Sequence, residues 1–337
     1  MMRENRREHG PEEPHNKESY VREFENWLKS IHEGSPSECG LRIRGGTERK
    51  SVCEDVKLKN SQEGLFLVAD GVSSQVGWFA SRETVRTVYQ SLGKNLDQEI
   101  QNIVQKALEL GESPLERVTD YVGTRMIASV AEADSRIKSM GARHREFSQS
   151  ASTLSLAKLV AIPDGQGGWL QRLFFLNVGD SRIYLQRKDG GFQQLTRDDR
   201  ELEQLADRGE MSRQQAMEID QAPDFSKLSG RQKIYARNRG TLTNFIGMGD
   251  PTRRLKANYL DVHPGERFVL VSDGVSDQIL TPNIQESVGS EMVDERAEER
   301  LQQEALNISL QGRDPRSKAD DISVIVSTVR HHAIADK

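Results

Sequence analysis

Two nine-residue stretches, LVADGVSSQ (67–75) and LVSDGVSDQ (270–278), agree at seven of nine positions although about 200 residues separate them. Each closes an apolar run with an aspartate and a glycine. A single Asp-Gly pair is an ordinary turn. Two matching copies at the ends of strand-like runs indicate something more, because a strand end is a rigid mount for a side chain whose position must be fixed. Further carboxylates stand in the same setting: Glu54-Asp55 ahead of the first apolar strand, Asp180 after LFFLNVG, and Asp320-Asp321 directly before ISVIV. Brought together, five or more carboxylates would repel and raise one another's pKa unless cations neutralised them. An all-oxygen donor set without a histidine or cysteine cluster suits hard cations, Mg²⁺ or Mn²⁺. Two such ions ~3.5–4 Å apart can hold a hydroxide and clamp a phosphoryl oxygen. Residue types and spacing alone therefore point to metal-assisted phosphoryl hydrolysis.

The elements that must position these side chains are legible from periodicity. GLFLVAD from Gly64 is a continuous apolar run bounded by turn residues, the pattern of a buried strand. Three helices follow. The first carries Val85, Val88, Tyr89 and Leu92 on one face and stops at Gly93. The second lies near 98–110. The third opens with Ser113-Pro114-Leu115-Glu116, which combines an N-cap, a proline at the first helical position and a capping-box glutamate. Strands resume over 153–162, 170–178, 182–186 and 192–195, with Asp-Gly and Gly-Gly pairs that mark antiparallel hairpins. Residues 199–240 are polar and begin helical, with a second capping box at Ser212–Gln215 and a basic stretch at 227–239. Strands over 258–262 and 267–272, a polar helix near 291–310 and a last strand over 322–329 complete the chain. Hairpin strands with helices grouped between them predict an α+β fold, a central β-sandwich of two antiparallel sheets flanked by helices.

Composition narrows the class of protein. The chain has 337 residues, 47 basic against 52 acidic, for a net charge of −5. No basic excess marks a generic nucleic-acid binder. No apolar run approaches the ~18–20 residues that span a bilayer, and the polar N-terminus lacks an apolar signal segment. Cys39 and Cys53 are the only cysteines, too few for a disulfide framework or a thiolate zinc site. The expected location is cytoplasmic. Residues 1–16 are polar and read as a disordered segment. Over 17–40 follow an amphipathic helix and a linker. The helix carries Tyr20, Val21, Phe24, Trp27, Leu28 and Ile31 as one apolar stripe, which must cover either the chain's own body or a partner docked on 19–32.

Eight motifs in order, KSVCED, LFLVADGVSS…G…AS, SASTL, FFLNVGDSRIYL, QLTRDD, LTNFIG, FVLVSDGVSD and ADDISVIV, resemble the type 2C (PPM family) metal-dependent serine/threonine protein phosphatases in their bacterial form. The resemblance runs from about Arg49 to Val329. It implies one catalytic domain over 41–330, a flap-like insertion at about 199–240 and a polar tail at 331–337. It further implies that Asp70 bridges two metals, with Glu54 and the Gly71 carbonyl on the second and Asp273 and Asp320 completing the first. Asp55 would hold waters behind them. Asp180, Asp273 and Asp277 match a third, weaker ion site. The implied activity is hydrolysis of phosphoserine and phosphothreonine in proteins by a hydroxide bridging two Mg²⁺ or Mn²⁺ ions, in opposition to a serine/threonine kinase.

The chain also departs from that family. Lys50 stands where an arginine usually grips the substrate phosphate, and a lysine supplies charge without the planar two-pronged hydrogen bond; Arg49 beside it is the candidate substitute. Val72-Ser73-Ser74 replaces the usual Met-Gly-Gly or His-Gly-Gly. Asp198-Asp199 stands for Asp-His, and Asp321 for a common asparagine. Lys233 and Arg237 in the basic stretch are candidate holders of acidic or phosphorylated substrate segments. Two alternatives accompany this reading: a non-catalytic binding module that keeps the fold, and a phosphatase for small phosphoesters.

Overall fold

In the strand Leu65–Ala69, alternate side chains take opposite faces. Leu65, Leu67 and Ala69 pack with the helices, and Phe66 and Val68 pack against a second sheet. All five residues are buried, so the run reads as continuous hydrophobicity because both faces are covered. The computed structural model describes residues 17–33, 41–42, 48–49, 52–72, 76–164, 168–253, 255–312 and 314–331.

Nine strands build the sandwich: β1 (Val56–Asn60), β2 (Leu65–Ala69), β3 (Leu154–Pro163), β4 (Trp169–Val178), β5 (Arg182–Gln186), β6 (Phe192–Gln194), β7 (Asn258–Val262), β8 (Arg267–Val271) and β9 (Val324–Thr328). One sheet has the order β7-β4-β3-β2-β1 and the other β6-β5-β8-β9, with every neighbouring pair antiparallel. Between them lies an apolar layer that includes Phe66, Phe175, Ile183, Phe268, Leu270 and Ile325.

Helices α1 (Lys17–Lys29), α2 (Gly77–Leu92), α3 (Lys94–Glu109) and α4 (Pro114–Arg143) lie on the side of the five-stranded sheet. The insertion holds α5 (Glu201–Asp207), α6 (Arg213–Asp220) and α7 (Gly230–Arg237); the one-turn α8 (Asp273–Ser276) follows β8. Helices α9 (Thr281–Ser290) and α10 (Asp294–Gln311) cover the outer face of the four-stranded sheet. This is the α+β sandwich expected from the sequence. Among the described residues no helix is long and apolar enough to cross a membrane.

Several local expectations needed correction. Ser113 begins α4 without a side-chain cap bond, whereas Ser212 and Gln215 form the reciprocal capping box on α6. Strand β1 and helix α9 were not foreseen. In β1, Lys57 and Lys59 alternate with apolar residues as though solvated, yet both are buried. Lys57 Nζ donates to the Val324 carbonyl at 2.7 Å and Lys59 Nζ to Glu298 Oε1 at 2.8 Å. The stripe of α1 is taken up by the chain itself: Phe24 joins the main core, and Tyr20 and Val21 cluster with Trp78, Phe79 and Phe147. Cys53 is disulfide-bonded, a single cross-link where counting cysteines offered no framework.

Candidate functional site

Strand register brings the carboxylates to one end of the sandwich. Val56 pairs with Ala69, so Glu54-Asp55 and Asp70 emerge side by side. Val271 pairs with Val324, so Asp273 and Asp320-Asp321 leave the other sheet together. Leu154 pairs with Val178, setting Thr153 beside the turn that carries Asp180. Short polar contacts then fix each mount. Thr153 exchanges bonds with Asp70, its Oγ1 accepting from the Asp70 amide at 3.0 Å and its amide donating to the Asp70 carbonyl at 2.8 Å. The Ser323 amide donates to Ser272 Oγ at 3.0 Å. Asp321 Oδ2 accepts from the Glu54 amide at 2.6 Å, a tie between the sheets.

The two Asp-Gly glycines serve close approach. A Cβ on Gly71 would lie 2.3 Å from the Gly77 carbonyl, and one on Gly274 would lie 1.9 Å from the Asp321 carbonyl oxygen. Only glycine lets these backbones meet. The second Asp-Gly pair is also no simple turn, since Asp273 is the first residue of α8.

Electrostatics mark the cluster as a cation site. Burial pushes Asp70 well above the usual carboxylate range, and the neighbouring charges of Asp55, Asp273 and Asp320 push it further. Asp55 is raised by burial, then by Asp321 and Asp320. Asp273 Oδ1 is buried with no hydrogen-bond partner. Oxygen donors in this state fit Mg²⁺ or Mn²⁺. Among the described residues, however, no group of three or more histidines, cysteines or carboxylates stands ready-made to hold an ion. The positive charge among these carboxylates comes from Lys318. Its ammonium donates to Asp273 Oδ2 and lies 2.7 Å from Asp320 Oδ2 and 3.4 Å from Asp277 Oδ2. Burial opposes its charge, but Asp273, Asp320 and Asp277 outweigh burial and hold its pKa well above the ordinary lysine value.

The three residues matched to a third ion are differently placed. Arg200, fully buried, donates from Nε to Asp180 Oδ2 at 2.7 Å and reaches within 3.0 Å of Asp277 Oδ1. A guanidinium therefore stands between Asp180 and Asp277, while Asp273 turns to Lys318. Burial raises Asp180 to about 7 against the pull of Arg200. Asp277, equally buried, is held well below the usual carboxylate range by Arg200, Lys318 and Arg239.

Beside the carboxylates opens a groove of about 720 Å³ lined by Phe225, Lys233, Arg237, Arg239, Asp277 and Lys318. Both candidate substrate-holding residues of the insertion thus face the same space as Lys318. Arg239 lies over the Phe225 ring at 4.6 Å and Arg316 over it at 5.4 Å, anchoring the insertion. Lys50 and Ser73-Ser74 lie outside the described residues, as do 1–16 and the tail beyond 331; Arg49 is described only as part of the two-residue strand Glu48–Arg49. Arg239 stood within the basic stretch at 227–239, but sequence reasoning missed Lys318 and Arg200. The only available signal was their proximity in the chain to the acidic motifs: Lys318 two residues before Asp320, and Arg200 directly after Asp198-Asp199.

Residues 45–311 match the family model described as Protein phosphatase 2C. The serine/threonine protein phosphatase PstP of Mycobacterium tuberculosis is 28% identical over 158 residues, which cover 47% of this chain and 25% of that relative's length. The match thus spans about a quarter of that longer protein. The crystal structure of the M. tuberculosis phosphatase PstP/Ppp superposes with a TM-score of 0.60 at 20% identity, covering 89% of this chain and 99% of the other. A structure of the PstP catalytic domain in complex with two manganese ions gives a TM-score of 0.57 at 19% identity over 88% of this chain and 98% of the other. At these identities the structural likeness is one of fold.

Proposed function

The chain belongs to the protein phosphatase 2C family, and we propose that it hydrolyses phosphoserine and phosphothreonine in proteins with the help of Mg²⁺ or Mn²⁺. The observation that carries this reading is the meeting of Asp70, Asp273 and Asp320 at one end of the sandwich, backed by buried Asp55 and opening on a basic groove. Asp70, Asp273 and Asp320, with Glu54 and the Gly71 carbonyl, would hold the ions, as one structural relative holds two manganese ions. Bound there, divalent ions supply charge for the phosphoryl oxygens and acidify a water into a nucleophile at neutral pH.

The chain's own residues do the rest. Thr153 and Ser272 lock the strand ends and so fix the backbone from which the carboxylates project. Asp55, whose two carboxyl oxygens are buried without a hydrogen-bond partner, would orient waters behind the reacting centre. Lys233, Arg237 and Arg239 draw an anionic segment into the groove and orient it, with phosphorylated proteins as partners and a serine/threonine kinase in opposition.

One observation favours a second reading, the binding module that keeps the fold: Lys318 supplies a cation to Asp273 and Asp320 from the chain itself. The test is phosphate release from a phosphothreonine peptide and from free nucleotides, each with Mn²⁺, Mg²⁺ or EDTA. Metal-dependent turnover of the peptide well above that of nucleotides supports the protein phosphatase. Faster turnover of nucleotides makes the chain a small-molecule phosphoesterase. A folded, Mn²⁺-loaded protein inert on both is the binding module.

A further inference from the structure

Around Asp180 and Asp277 the charge is closed by the chain itself. Four buried aspartates share the cluster, and each has a guanidinium oxygen–nitrogen contact of 3.0 Å or less: Asp180 with Arg200 at 2.7 Å, Asp277 with Arg200 at 3.0 Å, Asp198 with Arg182 at 2.7 Å and Asp220 with Arg182 at 2.9 Å. Arg239 and Lys318 add two more cations at Asp277, at 3.8 and 3.4 Å. Four carboxylates thus face four cationic side chains.

Arg200 cannot yield its place as a lysine could. A guanidinium stays protonated at any pH a protein survives, and this one is 1% exposed. Its backbone is fixed as well. Arg200 is the N-cap residue of α5 and bridges to Leu242 across the neck of the insertion. A dication entering between Asp180 and Asp277 would meet a permanent positive charge held by both carboxylates.

We propose that the Arg200 guanidinium takes the place of a third cation in this cluster and ties the base of the 199–240 insertion to it, so that the chain loads two ions and not three. Arg200 is then a positioning residue. It holds Asp277 and Asp180 by one end and the root of α5 by the other, and Asp220 at the end of α6 joins the same network at 3.5 Å. The insertion whose residues line the substrate groove is thereby fastened directly to the carboxylate end of the sandwich. The inference rests on the phosphatase reading for the two remaining ions.

One oxygen of the cluster, Asp180 Oδ1, is buried without a hydrogen-bond partner, which makes Asp180→Asn the discriminating variant. The experiment is a Mn²⁺ titration of the full chain followed by the EPR signal of free Mn²⁺, with circular dichroism confirming the fold of each protein. The expected count is two ions on the wild type and the same two on Asp180→Asn, with a third gained by Arg200→Met. A third ion on the wild type that Asp180→Asn loses would overturn the inference while leaving the phosphatase reading intact. Should Arg200→Met fail to fold, the comparison of wild type with Asp180→Asn decides alone. A wild type that binds no Mn²⁺ would contradict the phosphatase reading and the inference with it.

Discussion

Lys318 stands two residues before Asp320, and its ammonium meets three carboxylates, two of which a divalent ion would also face. An ion held by Asp273 and Asp320 would compete with the ammonium for them, so metal binding would have to move this side chain. Charge-assisted hydrogen bonds are worth about 1.5–3 kcal/mol each, and Lys318→Met should therefore raise Mn²⁺ affinity about tenfold or more by isothermal titration calorimetry; unchanged or weaker binding would show that Lys318 does not compete. Glu203 carries a pH effect. Burial lifts its carboxyl from an ordinary value of 4.5 to about 7, with Asp198 adding to the rise, and its Oε2 is buried without a hydrogen-bond partner. The folded chain keeps a proton that the unfolded chain releases between those two values, so this residue costs stability as pH rises through that window. Glu203→Gln should match the wild type near pH 4 and exceed it at pH 8 by about 1–3 kcal/mol in denaturant unfolding. The acidic residues were legible because they stand at or near the ends of apolar strands. The arginines and Lys318 were not, since a cation's partner depends on where the insertion and the last loop return.

At the scale of elements, α1 is part of the body. Phe24 is 1% exposed, with Arg82 at 5.6 Å and Arg86 at 5.3 Å from its ring. Phe24→Ala should lower unfolding free energy by about 3–5 kcal/mol; a loss under about 1 kcal/mol would mean that α1 is not held by this contact. The helical stripe was readable because 3.6-residue periodicity survives in any setting, but the surface that it covers was not. Strand β1 escaped notice for the opposite reason: its lysines look solvated in sequence, and Glu298 on distant α10 makes their burial possible. In the insertion, reversing charge at Lys233 and Arg237 to glutamate should lower kcat/KM on phosphopeptides at least about tenfold in low salt, with a smaller effect as salt screens the groove. Equal kcat/KM would remove these residues from substrate holding.

The whole molecule is a four-layer arrangement in which two sheets share one apolar core and send their acidic strand ends to the same edge. The fold class was legible because hairpin turns and grouped helices leave few ways to pack. The pairing of Asp180 and Asp277 with Arg200 was not legible, because matching carboxylates by position does not reveal which of them a buried arginine contacts. The central claim is that carboxylates at the end of this sandwich hold metal for phosphate-ester hydrolysis. Steady-state phosphate release from a phosphothreonine peptide at saturating Mn²⁺, by wild type and by Asp70→Asn, tests it most directly. The wild type should turn over only with metal, and the variant at least about 10³-fold more slowly. Turnover of Asp70→Asn within tenfold of the wild type, or undiminished wild-type turnover in EDTA, would contradict the account.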